Sequence, residues 1–135
     1  MKPLNILLID DDEDDRDVFT SAIATVSGCP NCITLEDAAA ALQKLEEKLL
    51  TPDVIFLDLN MPKMDGRDFY LRIKAKQDLK DIPIVLFSTS SFLESVRSEP
   101  LINAHFIAKP DSFSELKMVL QEYLDTNFNR LRAAV

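Results

Sequence analysis

Five short apolar runs, separated by stretches with helical spacing, set the narrowest limit on what this chain can fold into. Asn5–Ile9 is rich in Ile and Leu and is closed by Asp10. Residues 33–35 form a weaker second run, and Val54–Leu57 leads straight into Asp58. Residues 84–87, opened by Pro83, end in Ser88-Thr89-Ser90-Ser91, and residues 106–108 are followed by Lys109-Pro110. Apolar runs this short, with no polar alternation, read as strands buried on both faces. Strands of that kind alternating with amphipathic helices imply an α/β fold, a parallel sheet covered on both sides, and right-handed crossovers leave it few topologies.

The connecting stretches support the same reading. Asp12 can cap a helix whose apolar face holds Val18, Phe19, Ile23 and Val26, with Gly28 at its C′ position. Asp37 starts an alanine-rich helix with Ala38, Ala41, Leu42, Leu45 and Leu49 at helical spacing, stopped near Pro52. Beyond Gly66 a third helix places Phe69, Tyr70 and Ile73 on its apolar side. A short helix is expected at residues 92–96, curtailed by Pro100. Ser112-Phe113-Ser114-Glu115 is a capping box that opens a last helix, with Leu116, Val119, Leu120, Tyr123 and Leu124 inward. The expectation is one domain over residues 1–135, with its core at about 4–125 and a short tail at 126–135.

Charge and hydropathy exclude several function classes. The net charge of −8, from 15 Lys plus Arg against 23 Asp plus Glu, speaks against nucleic acid as a partner, which requires surplus cation near phosphate. The longest apolar runs are too short to cross a bilayer, and Met1-Lys2-Pro3 leads into a strand rather than a signal-peptide core. A cytoplasmic protein with no membrane partner is expected. Acidity concentrates between Asp10 and Asp17, where every residue except Arg16 carries a carboxylate. Glu13, Asp14, Asp15 and Asp17 suit a solvated helix start as well as any function, whereas Asp10 and Asp11 follow a strand directly. The Cys29-Pro30-Asn31-Cys32 pair follows a helical pattern and precedes a strand, the reverse of a redox C-x-x-C. A structural zinc would need two more thiol or imidazole ligands, and the chain offers only His105. The pair is read as incidental, in a reducing compartment.

Open parallel sheets bind ligands at the carboxyl ends of their strands, so the residues that follow each run carry the functional question. They are Asp10-Asp11, Asp58, Ser88-Thr89 and Lys109-Pro110. Three clustered carboxylates repel one another, and a divalent cation relieves that repulsion. All-oxygen ligation with few protein groups suits Mg²⁺. A lysine and a hydroxyl beside them complete a site for a phosphoryl group held on a carboxylate, with Asp58 attacking phosphorus while Mg²⁺, Lys109 and Ser88 neutralise the equatorial oxygens.

At these residues the sequence resembles a known family. Asp10-Asp11, the segment from Val54 through Asp58 to Gly66, the segment from Pro83 to Ser88, and Phe106 to Pro110 are similar to the receiver domain of two-component response regulators, over roughly residues 4–125. The resemblance implies a flavodoxin-like (βα)5 doubly wound parallel sheet in strand order 2-1-3-4-5. It implies Asp58 as phospho-acceptor, and Mg²⁺ held by Asp11, Asp58 and the Asn60 backbone carbonyl, with Asp10 assisting partly through water. Ser88 would hydrogen-bond the phosphoryl group, Lys109 would pair with it, and the bond to Pro110 would be cis. Phe106 stands at an aromatic switch position, often Tyr, and would rotate inward as Ser88 moves. The implied function is a phosphorylation-dependent signalling switch of a two-component or phosphorelay system, not an enzyme beyond its own phosphorylation and dephosphorylation. Its partners would be a sensor histidine kinase or a histidine phosphotransfer protein, and an unknown downstream protein.

Three departures from the family pattern bear on function. Thr89 follows Ser88 where a smaller residue is common, Phe106 lacks a phenol hydroxyl, and Pro100 falls in the usual output region. Asp12 and Asn60-Met61-Pro62 resemble stand-alone receivers, including those paired with phytochrome-like kinases. Two other readings stand beside this one. A Mg²⁺-dependent phosphatase of the haloacid-dehalogenase type needs a second Asp two residues after its nucleophile, where this chain has Asn60. A pseudo-receiver would be folded but never phosphorylated, although here the acceptor, metal and lysine positions are all filled by competent residues.

Overall fold

Each apolar run becomes a strand. The computed structural model describes residues 3–28, 30–61, 64, 66–89 and 104–128. Along the chain these form β1 (Asn5–Ile9), α1 (Glu13–Ile23), β2 (Asn31–Leu35), α2 (Ala38–Glu46), β3 (Val54–Leu57), α3 (Gly66–Lys74), β4 (Ile84–Ser88), β5 (His105–Ala108) and α4 (Phe113–Phe128). The five strands are parallel in the order β2-β1-β3-β4-β5, the flavodoxin-like order expected. Strand order therefore reverses between β1 and β3, and the crevice of a doubly wound sheet opens above their carboxyl ends. Only β1, β3 and β4 are covered on both faces as expected; β2 and β5, at the two edges of the sheet, hold no fully buried residue.

Strand parity divides the core into two layers. Leu7, Ile9, Ile55, Leu57, Ile84 and Leu86 pack against α2 and α3 through Leu42, Leu45, Phe69 and Ile73. Ile6, Leu8, Val54, Phe56, Val85 and Phe87 pack against α1 and α4 through Phe19, Ile23, Leu120 and Leu124. The second layer holds an edge-to-face aromatic cluster. Phe19, Phe56 and Phe87 meet at ring separations of 5.1, 5.7 and 6.1 Å, and Tyr123 adds a contact with Phe56 at 5.7 Å.

Four of the five expected helices hold, with corrections at their ends. Asp12 and Asp37 cap α1 and α2 as expected, each accepting a backbone N–H from the first turn. α1 closes at Ile23, however, and Gly28 with φ 90° shapes the turn that follows rather than the helix cap. Val18 is exposed, because Phe19, Ala22 and Ile23 already fill the face toward the sheet. Leu49 is exposed as well. Lys48 adopts φ 59° and ends the helical path, so the spacing that aligned Leu49 with Leu45 no longer applies. Tyr70 and Val119 are only partly buried. The Ser112 hydroxyl accepts the Glu115 N–H at 3.1 Å and starts α4, which runs on to Phe128. Cys32 lies half-buried on β2, where burial pushes its thiol up to about 11 despite the Thr20 hydroxyl beside it. A thiol in that state is a poor nucleophile at neutral pH. The helix expected at residues 92–96, Pro100, Cys29 and the tail from residue 129 lie outside the described residues. Among the described residues no helix is long and apolar enough to cross a membrane.

Gly66 ties α3 to the loop that carries Asp58. A Cβ there would stand 2.6 Å from the Leu59 Cα and 2.8 Å from the Asp58 carbonyl oxygen, both backbone atoms that cannot swing aside. Gly66→Ala should therefore lower unfolding free energy by about 1–3 kcal/mol, the usual cost of overpacking, read as a lower urea midpoint.

Candidate phosphoryl and cation site

The site is built from residues that lie just past the strands, where the hydrogen-bond ladder still fixes the backbone. The Asp10 N–H donates to the Leu35 carbonyl and the Asp58 N–H to the Ile9 carbonyl, each at 3.0 Å, so both aspartates extend the sheet by one rung. Asp10 is fully buried, Asp58 is 5% exposed and Ser88 1%. Asp11 is exposed at the rim.

Donors surround the Asp58 carboxylate. Oδ1 accepts the Ser88 hydroxyl at 2.9 Å and the Asn60 N–H at 3.0 Å, while Oδ2 accepts Lys109 Nζ at 3.2 Å. Lys109 also donates to Asp10 Oδ2 at 2.9 Å and to Asp15 Oδ2 at 2.8 Å. Its N–H donates to the Ser88 carbonyl, and its ammonium lies 5.9 Å from the centre of the Phe87 ring, at the edge of the aromatic cluster. Asp10 Oδ1 accepts the Asp12 N–H at 2.9 Å, and Arg16 Nη1 donates to the Asp10 carbonyl at 2.9 Å. Among the described residues no buried side-chain polar atom lacks a partner.

The electrostatics follow from this packing. Burial pushes the Asp10 carboxyl above its ordinary value, and the nearby Asp58 charge adds to that. The Asp12 N–H and the Lys109 ammonium offset only part of it. For Lys109, burial alone disfavours the charged form, but its bonds to Asp15 and Asp10 and the Asp58 charge outweigh that and raise it above the ordinary lysine value. Both partners are thus raised. The ammonium is secure, and Asp10 is a buried carboxylate short of positive charge. One oxygen each from Asp10, Asp11 and Asp58 lies within 4.8 Å of the others, an all-oxygen set suited to a hard divalent cation.

A family model described as the response regulator receiver domain matches residues 6–121. The chain belongs to that family. Response regulator Rcp1 of Synechocystis is 38% identical over 93 residues, which are 65% of this chain and 63% of Rcp1. A protein-glutamate methylesterase/protein-glutamine glutaminase of Saccharophagus degradans is 31% identical over 99% of this chain, but that match is 37% of its own length. The chain thus spans less than two thirds of these relatives. Among solved structures, the phosphorylated cyanobacterial phytochrome response regulator RcpA superposes with a TM-score of 0.80 at 28% identity, covering 92% of this chain and 93% of its own. The Mn²⁺-bound form of Rcp1 gives 0.75 at 31% identity, covering 91% and 93%.

The receiver's strand ends bring together Asp10, Asp11, Asp58, Ser88 and Lys109 as the sequence suggested. Asn60 is exposed and engages Asp58 through its N–H. Phe106 sits apart on β5, partly buried against the α2–α3 layer and in register with Leu86. The described residues contain no cis peptide bond, so the expected cis bond to Pro110 is trans here. An X–Pro bond favours trans by only about 0.5–1 kcal/mol, so neighbouring contacts decide the isomer and the sequence alone does not.

Two residues near the site carry no mark of it in the sequence. Asp15 reads in sequence as a solvated helix-start acid, yet its carboxylate makes the shortest of the Lys109 contacts. Arg16 closes the other flank, 17% exposed, with Nη2 3.8 Å from Glu36. The Asp15 contact with Lys109 spans 94 residues, so nothing local in the sequence marks it.

The raised Asp10 carboxyl predicts a pH dependence with a definite sign. A carboxyl raised in the fold contributes stability that is full below its ordinary value of 3.8 and is lost as pH rises through the raised one. In chelator at neutral pH, Asp10→Asn should therefore show a higher urea midpoint than the wild type. The gain should vanish as pH falls below that ordinary value, and a saturating divalent cation should reverse the order, because such a cation needs the full carboxylate set.

Proposed function

We propose that this receiver is a phosphorylation-dependent signalling switch whose acceptor is Asp58. The observation that carries the reading is the Asp58 carboxylate itself, nearly buried, with Ser88 and Asn60 donating to one oxygen and Lys109 to the other. Those bonds fix the plane of the carboxylate and hold at its oxygens the donors that would turn to an incoming phosphoryl group. An Asp58 oxygen forms the new bond to phosphorus. The bond from phosphorus to the leaving group breaks, and the leaving group, an imidazole nitrogen of phosphohistidine or the carboxylate of an acyl phosphate, keeps the electron pair.

The acidic set fits a divalent cation, with Asp11, Asp58 and the Asn60 carbonyl as its holders and Asp10 assisting. Mg²⁺ is the proposed ion, and when bound it would supply charge neutralisation at the phosphoryl oxygens. Lys109 holds the second positive charge, and the Ser88 hydroxyl turns from Asp58 toward a phosphoryl oxygen. A sensor histidine kinase or histidine phosphotransfer protein is the proposed donor, and the likeness to RcpA favours a phytochrome-type kinase. The chemistry is confined to the receiver's own phosphorylation and dephosphorylation, in the cytoplasm, and a downstream protein receives the signal.

Ser88 and Phe106 form the proposed route outward. β4 and β5 pair Leu86 with Phe106 and Ser88 with Ala108, so Ser88 and Phe106 belong to the same face of the sheet, one pleat apart. A Ser88 side chain drawn to the phosphoryl group leaves room on that face, and a ring with no hydroxyl enters it without stranding a polar group. The two states then differ by one hydrogen bond and one buried ring.

Acetyl phosphate with Mg²⁺ should add one phosphoryl mass to the wild type and none to Asp58→Asn. Equal labelling of the variant would overturn the acceptor assignment. Ser88→Ala should still be labelled, yet its amide shifts on adding trifluoroberyllate should stop short of Phe106 and residues 113–124, which shift in the wild type.

A further inference from the structure

We propose that Asp15 is a positioning residue that competes for Lys109 and so sets the affinity of the acceptor pocket for a phosphoryl group. The proposal rests on the reading of Asp58 as acceptor. A lysine ammonium has three N–H donors and no more. Here Nζ has three carboxylate partners, Asp15 at 2.8 Å, Asp10 at 2.9 Å and Asp58 at 3.2 Å. Its donors are therefore committed, and the one facing Asp58 makes the longest bond.

Asp15 is held in place for this. It lies in the first turn of α1, its N–H donates to Asp12 Oδ1 at 3.0 Å, and its carboxylate reaches across to the end of β5. It is not one of the three acids whose oxygens converge as a cation set, so its partner is the lysine. A phosphoryl group on Asp58 brings anionic oxygens that need a donor from Lys109, and one of the three present bonds must be given up. Asp10 is buried and water cannot replace its bond to Lys109, whereas the Asp15 side chain is 46% exposed and water replaces what it loses. Asp15 is thus the partner that exchanges. Before phosphorylation it draws the ammonium away from Asp58 and adds negative charge near the incoming group, and both effects oppose phosphoryl occupancy.

The test compares the wild type with Asp15→Asn, which keeps the size and removes the charge, Asp15→Glu, which restores the charge, and Asp58→Asn. Each is titrated with trifluoroberyllate at saturating Mg²⁺, and the ¹H–¹⁵N signal of the Lys109 ammonium is recorded in parallel. Asp15→Asn should bind the phosphate mimic about three- to fivefold more tightly, the scale of a partly exposed ion pair. The gain should shrink at high salt, where such a pair is screened. Proton exchange from the Lys109 ammonium should quicken in Asp15→Asn, and Asp15→Glu should return both readouts toward the wild type. Affinity in Asp15→Asn equal to or weaker than the wild type overturns the proposal while leaving the acceptor assignment intact. Mimic binding by Asp58→Asn equal to the wild type overturns the acceptor assignment and the proposal with it.

Discussion

Lys109 Nζ is the only cation seated among two buried carboxylates, Asp10 and Asp58, and one at the rim, Asp15, among the described residues. The rest of the site depends on that arrangement. Without the ammonium, Asp10 and Asp58 would be uncompensated negative charge at the end of an apolar sheet, which is among the costliest features a fold can carry. With it, charge is balanced only in part, and a deficit of positive charge is stored at the switch point. An all-oxygen set with that deficit suits a hard divalent cation.

The sheet makes the arrangement possible by bringing distant residues within bonding distance. Asp10 and Lys109 are 99 residues apart in sequence, and Asp58 and Ser88 are 30 apart. Parallel strands in the order β2-β1-β3-β4-β5 place all four at one end of adjacent strands. The aromatic cluster of Phe19, Phe56, Phe87 and Tyr123 packs the α1–α4 side of the sheet, and its Phe87 ring reaches the Lys109 ammonium at 5.9 Å. Phe106 lies on the opposite, α2–α3 side and is only partly buried.

Arg16 extends the same logic toward β2. It joins the Asp10 carbonyl to Glu36 at the start of the second crossover, and so ties the acidic end of β1 to the neighbouring strand. The match to receivers covers residues 6–121 and contains all of these charged groups.

The sequence alone determined the strands, the burial of β1, β3 and β4 on both faces and the residues that stand at their ends. Those are local properties, since apolar runs, caps such as Asp12 and Asp37, and the polar residue after each strand are read from near neighbours. It also determined Asp10, Asp11, Asp58, Ser88 and Lys109 as a set, because their residue types fit one chemistry. Tertiary structure decided what depends on long-range approach. Asp15 counts as a solvated acid until β5 brings Lys109 to it. Leu49 counts as core until a left-handed Lys48 turns the chain away. The isomer at Pro110 and the division of three ammonium donors among three carboxylates belong to the same class. Each is a small free-energy difference between local alternatives, and only the packed fold supplies the contacts that settle it.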